Sequence, residues 1–323
     1  MHEKYVDIEG TTYRLEQVGP SQLAPLVPLF RDVFARRDFT VDWLNKKYGC
    51  EYDGVRGFSC VAFTQSGTAV ASMGVLPWPI RFGDRIELAA QLVDAATHPE
   101  HRRRGLFALT GQMAVEICDA AGIAFIFAFP DTERHSYAGF IRHVGFSHIH
   151  DLIEYRLPIR TLWAERLARR AGPLNTLYEQ RLQKTLDAYA PGDPILENSL
   201  LSEGHAGTHR HRAFHEYKSF AGGRVLEFDG GRVWLKVLRG VFVGDFEASS
   251  ETNVLKTTRA LEDIARRLGI HQILFQTSGK TRFARFFNER CSGLPRLTVL
   301  YRNLRSQIPA EALRFTSGDL DNF

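Results

Sequence analysis

The stretch Thr97-His98-Pro99-Glu100-His101-Arg102-Arg103-Arg104-Gly105-Leu106-Phe107 joins a run of β-favouring residues, Glu87–Thr97, to a helical pattern that begins at Gly105. On the helical side Leu106, Leu109, Met113 and Ile117 fall on one face, and Gly122 is the left-handed residue that closes a helix ending at Ala121. A strand that passes through an Arg-rich turn into a helix is a device for holding a diphosphate. Backbone N–H groups of the turn and the unpaired N–H groups of the helix's first turn converge on one point. Gly105 lets the backbone come close, and Arg102, Arg103 and Arg104 add positive charge. An Arg triplet alone is as readily a solvated charge run, so the flanking pattern decides between the two.

Upstream, Phe58–Thr64 and Ala69–Leu76 are rich in β-favouring residues, and a hairpin is expected to turn at Phe82-Gly83-Asp84. A first strand is expected near Tyr13–Val18. Ser21 to Tyr48 then carries Leu26, Phe30, Val33 and Phe34 at helical spacing, with Pro25 and Pro28 obscuring its start. Downstream of the turn, Ile123–Phe129 is a continuous apolar run suited to a fully buried strand. A short helix over Ser136–His143 and a strand over Ser147–Leu157 complete the pattern.

This segment resembles the GNAT N-acetyltransferase superfamily, whose signature R/Q-x-x-G-x-G/A follows a strand and opens a helix. In that family the turn binds the pyrophosphate of acetyl-CoA, the preceding strand pairs with the pantetheine amides, and the next strand splays away to form a cleft. The resemblance therefore implies a cofactor site at Ala96, Thr97, Arg102, Arg103, Arg104, Gly105, Leu106 and Phe107. Asp131, where relatives often have Asn, is implied to join these cofactor-binding residues, and Val144-Gly145-Phe146 resembles the family's closing turn. Phe107 departs from the usual Gly or Ala, which is compatible with a backbone contact if its ring points into the core. Trp43-Leu44-Asn45-Lys46-Lys47-Tyr48-Gly49 resembles a stretch found in a subgroup of longer, two-half members.

The resemblance implies direct attack of an amine on the acetyl thioester, with a backbone N–H near Ala96–Thr97 meeting the carbonyl oxygen. Many members place a Tyr four residues before the closing Gly as the acid, and here that position is Ile141. Tyr137, one helical turn earlier, is the candidate acid, packing against a carbonyl being the alternative role. Asp94 is the candidate base on the cofactor strand, and its alternative role is a paired structural carboxylate. Gln91, near another family base position, is not basic. His98, His101, His135 and His143 lie around the same region and are each as readily surface histidines.

Residues 159–190, rich in Leu, Arg and Ala, read as connecting helices that end at Pro191-Gly192-Asp193-Pro194. From Arg224 the earlier order repeats: strands near 224–229, 232–238 and 241–248, a helix at 253–268, a strand at 271–277, a helix at 281–290 and a strand at 297–303. The fold class expected is thus α/β, a mixed sheet in a tandem GNAT-like arrangement. Its divisions would be a cofactor-binding domain at 1–158, a helical connection at 159–192 and a second half at 193–323. In that half Phe246-Glu247-Ala248-Ser249-Ser250-Glu251-Thr252 replaces the Arg-rich turn, and its two acids would repel phosphate.

The chain's 323 residues suffice for two domains, and 44% hydrophobic with 24% charged residues is the balance of an ordinary globular protein. A net charge of +4 with Lys and Arg spread along the chain argues against nucleic acid as a partner. The four cysteines are widely spaced and read as free thiols of a reducing compartment. Met1–Asp7 is too polar for a signal peptide, and the run Ile123–Pro130 is too short to span a bilayer, so a cytoplasmic protein without membrane contact is expected. His205, His209, His211 and His215 lack the cysteines and carboxylate pattern of a metal site, and no metal is expected.

The function implied is acetyl transfer from acetyl-CoA to the primary amine of a small molecule, an amino sugar being one candidate. Transfer of a longer acyl or aminoacyl group, and a degenerate protein that binds coenzyme A or a partner without catalysis, are the alternatives. The oligomeric state stays open, a homodimer included.

Overall fold

Every residue from Ala69 to Ile80 is buried, as a strand must be when both faces of its sheet are covered. This strand lies in a computed structural model that describes residues 3–36, 38–131, 135–161 and 172–323. The chain forms two units, Met1–His150 with Leu297–Ala312, and Asp151–Arg296 with Leu313–Phe323. The division is discontinuous, unlike the linear one expected, because a strand near the end of the chain completes the first unit.

In the first unit the sheet begins with β1 (Glu3–Ile8), which the sequence reading did not anticipate, and β2 (Thr11–Val18). The expected helix over 21–48 is two helices, α1 (Leu26–Phe34) and α2 (Val41–Tyr48). Ala35, at φ 52°, ends the first, and the Thr40 side chain accepts from the Trp43 N–H to start the second. A short hairpin of β3 (Glu51–Tyr52) and β4 (Val55–Arg56) leads into β5 (Phe58–Thr64), β6 (Ala69–Phe82) and β7 (Arg85–Thr97). The β6–β7 hairpin turns at Gly83, φ +58°, as expected.

Then come α3 (Leu106–Ala120), β8 (Phe125–Ala128) and α4 (His135–Gly139). The helix widens to π geometry over Phe140–Val144 and stops at Gly145, φ 74°. β1, β2, β5, β6 and β7 pair antiparallel in that order, β7 pairs parallel with β8, and β8 pairs antiparallel with a late strand through Leu300↔Ala128 to Asn303↔Phe125. Met113, Ile117, Leu92, Val75, Ile126 and Val144 are among the residues of its core.

The second unit contains the end of β9 (Ser147–Pro158), α5 (Gly172–Asp187), α6 (Ser199–Ser202), β10 (Gly207–Thr208) and α7 (Arg212–Lys218). Residues 162–171 of the expected connecting helices lie outside the described residues. Next come β11 (Arg224–Phe228), β12 (Gly231–Val237), β13 (Val241–Glu247), α8 (Glu251–Leu268), β14 (Gln272–Ser278) and α9 (Arg282–Asn288). β15 (Gly293–Asn303) is the strand that passes into the first unit.

The repeat read from the sequence is present. β11, β12 and β13 form an antiparallel meander, β13 pairs parallel with β14, and β14 pairs antiparallel with β9. Phe246, Phe275, Phe283 and Phe287 gather at the centre of this unit's core.

The two parallel pairs part at corresponding places, with different results. In the second unit β13 and β14 separate after Val243↔Phe275, and the segment from Phe315 onward lies between them. The Ser278 N–H donates to the Phe315 carbonyl at 2.9 Å and the Gln276 N–H to Ser317 Oγ at 2.8 Å. A Cβ on Gly318 would approach the Gly244 carbonyl oxygen at 3.3 Å, and one on Gly244 would strike the Phe323 ring at 2.4 Å.

Candidate functional site

In the first unit β7 and β8 pair from Ala89↔Phe125 to Leu92↔Ala128, and no further. Beyond that point β7 carries a bulge. Gly74 faces Val93 and Ser72 faces Ala96, so Asp94 and Ala95 oppose Met73 alone. A cavity of about 670 Å³ opens along this end of the strand, lined by Ala95, Ala96 and Thr97 together with Arg102, Arg103, Gly105 and Phe107.

The turn has the backbone of an anion cradle. Arg103 at φ 63° and Gly105 at φ 71° are both left-handed, which turns successive N–H groups toward one side. Gly105 caps α3 without a side-chain bond, so the N–H groups of the first helical turn keep their capacity for a ligand. A Cβ at Gly105 would meet no protein atom within 4 Å, so the glycine answers to its φ and to space on the ligand side.

The three arginines divide their work. Arg102 and Arg103 line the cavity. Arg102 also donates from Nε to the Thr97 carbonyl at 3.2 Å. Arg104, expected to serve the cofactor, is instead a strut: its guanidinium donates to Thr11 Oγ1 and Tyr13 Oη, each at 3.0 Å. Tyr13 Oη lies 2.9 Å from Nδ1 of His101. Burial, and then the charge of Arg104, lower the His101 pKa, so this cavity-lining imidazole is neutral at pH 7.

Leu106 is buried and can offer only its backbone N–H. Phe107 packs toward α4, its ring edge-on to Phe140 with centroids 5.2 Å apart, which accommodates the departure from Gly or Ala. Asp131 forms an isolated antiparallel bridge with Leu297 and is not among the cavity-lining residues.

Of the acid and base candidates, Asp94 sits on the bulge. It accepts from Lys47 Nζ at 2.8 Å on each oxygen and from Tyr48 Oη at 2.8 Å. Tyr137 packs against the core, its ring edge-on to His148, while Ser136, Gly139 and His143 of the same helical segment line the cavity. Ile141 also packs on the core. The sequence reading did not single out Val33, Phe34 or Ser136 as cavity residues, nor Lys47 as the partner of Asp94. Only topology brings these positions together. Among the described residues no group of three or more His, Cys, Asp or Glu could hold a metal ion, and no helix is long and apolar enough to cross a membrane.

Among its described residues the second unit offers no such cradle. Ser250 caps α8 by accepting from the Asn253 N–H, Ser249 bonds the Asn253 side chain, and Glu251 brings negative charge to the first turn. An anion would meet a helix end already satisfied.

Residues 15–149, all within the first unit, match the acetyltransferase (GNAT) domain family. Over those residues the first unit is similar to the GNAT acyltransferases. The GNAT fold extends over both halves in solved structures at low identity. A probable N-acyltransferase from Enterococcus faecalis V583 superposes with a TM-score of 0.61 at 14% identity, over 92% of this chain and 74% of that one. A GCN5-related N-acetyltransferase from Kribbella flavida gives 0.56 at 14% identity, over 91% and 72%. A tandem GNAT protein from the clavulanic acid biosynthesis pathway gives 0.51 at 13% identity, over 91% and 99%. No curated protein sequence matches the chain. GNAT acyltransferases take their acyl group from an acyl-CoA.

Proposed function

We propose that this protein moves an acetyl group from acetyl-CoA to the primary amine of a small molecule, using the first unit alone. The observation that carries the reading is the α3 N-terminus without a side-chain cap. It stands behind two left-handed residues and opens on a cavity beside the end of β7 that β8 leaves.

The chain's residues fit coenzyme A. N–H groups at Gly105–Phe107, with the charges of Arg102 and Arg103, would hold the pyrophosphate, and the β7 edge at Ala95–Thr97 would pair with the amides of the pantetheine arm. Acetyl-CoA supplies an activated thioester when bound. The backbone near Ala96–Thr97 offers an N–H to its carbonyl oxygen. Tyr137 is the phenol within this helical segment that could protonate the departing sulfur, by a side-chain movement from its packed position against the core.

Val33 and Phe34 make one wall of the cavity apolar, which favours a small organic amine over a highly charged acceptor. The test is thiol release from acetyl-CoA across a panel of amines, amino sugars included, alongside calorimetry with coenzyme A. Release with at least one amine and one bound coenzyme A per chain support the reading. Absence of coenzyme A binding would overturn it.

A further inference from the structure

Asp94 has a backbone φ of 49°, a left-handed conformation that is costly for a residue with a Cβ. The surroundings hold it there. Lys47, with 1% of its side chain exposed, and Tyr48 place three hydrogen bonds on the carboxylate, while Ser72 Oγ donates to the Asp94 carbonyl at 3.0 Å. The opposite strand makes room for this grip. A Cβ on Gly74 would stand 2.1 Å from Tyr48 Oη, so only glycine leaves that hydroxyl its place. The bulge thus held is where β7 leaves β8 and its backbone turns toward the cavity.

The second unit repeats the arrangement without the cradle. β13 carries its own irregularity at Gly244, between Val243 opposite Leu235 and Asp245 opposite Trp234. Asp245 is bound by Arg210 at 2.6 Å and by the Ser199 hydroxyl at 2.7 Å, all three buried. That helix end is capped and the gap beside the strand is filled by the segment from Phe315 onward. A carboxylate gripped by a buried cation therefore accompanies the bulge even where the cofactor cradle is missing.

We propose that Lys47 and Tyr48 are positioning residues for acyl transfer. By gripping Asp94 they fix the bulge that presents the β7 backbone N–H groups to the thioester carbonyl, and Asp94 acts as their anchor rather than as a proton acceptor. The inference rests on the coenzyme A site of the proposed function. Its consequence is that the grip affects how the acyl group is held and leaves the hold on the pyrophosphate unchanged.

The experiment is calorimetry of coenzyme A and acetyl-CoA binding to the full chain, as wild type, Tyr48→Phe, Lys47→Met and Asp94→Asn, each with its thermal midpoint. One hydrogen bond to the carbonyl makes wild type bind acetyl-CoA about fivefold more tightly than coenzyme A. Each variant is expected to bring that ratio toward one while coenzyme A affinity stays within about twofold of wild type.

Tyr48→Phe keeps the ring and the ion pair, so it carries the test if Lys47→Met does not fold. A ratio near one in wild type, or a wild-type ratio retained in folded Tyr48→Phe, overturns the proposal. So does a parallel fall of both affinities with the thermal midpoint, which marks a merely structural role. An Asp94→Asn variant with an unchanged ratio but a lost acidic limb in the pH–rate profile assigns Asp94 to proton transfer and also overturns it. Failure of wild type to bind coenzyme A at all would instead defeat the underlying site.

Discussion

The Phe107 ring occupies the space that a side chain on Gly139 would need: a Cβ there would lie 2.7 Å from Phe107 Cε1. Gly139→Ala should therefore destabilise the first unit by about 1–3 kcal/mol through overpacking. In a Phe107→Ala background the same substitution should cost little, because the obstructing ring is gone. Urea unfolding of the two single variants and the double variant checks this, and additive costs would show that the contact does not govern the site.

The unequal placement of the arginines predicts unequal effects. Arg103→Ala should weaken coenzyme A binding by about 1–2 kcal/mol and flatten its salt dependence, since Arg103 lines the cavity. Arg104→Ala should chiefly lower the thermal midpoint, because it removes the ties to Thr11 and Tyr13. Calorimetry at two salt concentrations separates the pair, and equal losses of affinity would show that both meet the phosphates.

Gly105→Asp sets a carboxylate and a strained left-handed Cβ at the head of α3. Coenzyme A affinity should fall by at least about 1–3 kcal/mol, and wild type should bind one equivalent per chain. A second equivalent, or an unchanged affinity in the variant, would place the diphosphate elsewhere.

Tyr137→Phe retains the ring that packs on the core and removes only the hydroxyl. If this phenol delivers the proton to sulfur, turnover should drop roughly 10²–10⁴-fold with coenzyme A affinity nearly unchanged. Ser136→Ala is the paired measurement, because Ser136 is the hydroxyl of this helix that lines the cavity. Wild-type turnover in Tyr137→Phe would assign that residue to packing.

The second unit should lose stability in acid through His215. Burial lowers its pKa from 6.5 to about 4, and its Nε2 lies 2.9 Å from the Leu196 carbonyl oxygen and 3.2 Å from the Leu196 nitrogen. The unfolded chain takes up a proton below pH 6.5 while the folded one does not until about pH 4, so stability present above 6.5 is lost as pH falls through that window. The loss attributable to this residue is on the order of 3 kcal/mol. Urea unfolding at pH 7.5 and 4.5 should show a smaller acid loss in His215→Gln than in wild type.

The turn and its helix were legible in the sequence because they are local. Gly105, the helical face from Leu106 to Ile117 and the stop at Gly122 lie within one short stretch, and their spacing encodes their geometry. The second half's helix and the lack of an Arg-rich turn before it were legible for the same reason, while its Ser250 cap was not read. What the sequence hid depends on distant residues. Nothing near Arg104 shows that it would bond Thr11 and Tyr13 rather than face the cavity, and nothing near Asp94 points to Lys47. Tyr137 was assigned by helical periodicity, which fixes a face but not what that face meets. The break at Ala35 was missed because alanine rarely adopts its left-handed conformation.

The late strand β15 also bears on the order in which the molecule can be made. Leu300 pairs with Ala128 across more than half of the chain's length, so the first unit waits for residues 297–303 before its sheet is complete. During synthesis the edge of β8 stays open while the intervening residues emerge, a window in which pairing with another chain competes with the native partner. Contacts of such high sequence separation also slow folding. Residues 1–150 released alone would keep the cradle at Arg102–Phe107 but would lack a strand of their own sheet, which makes aggregation rather than altered chemistry the characteristic failure of a shortened chain.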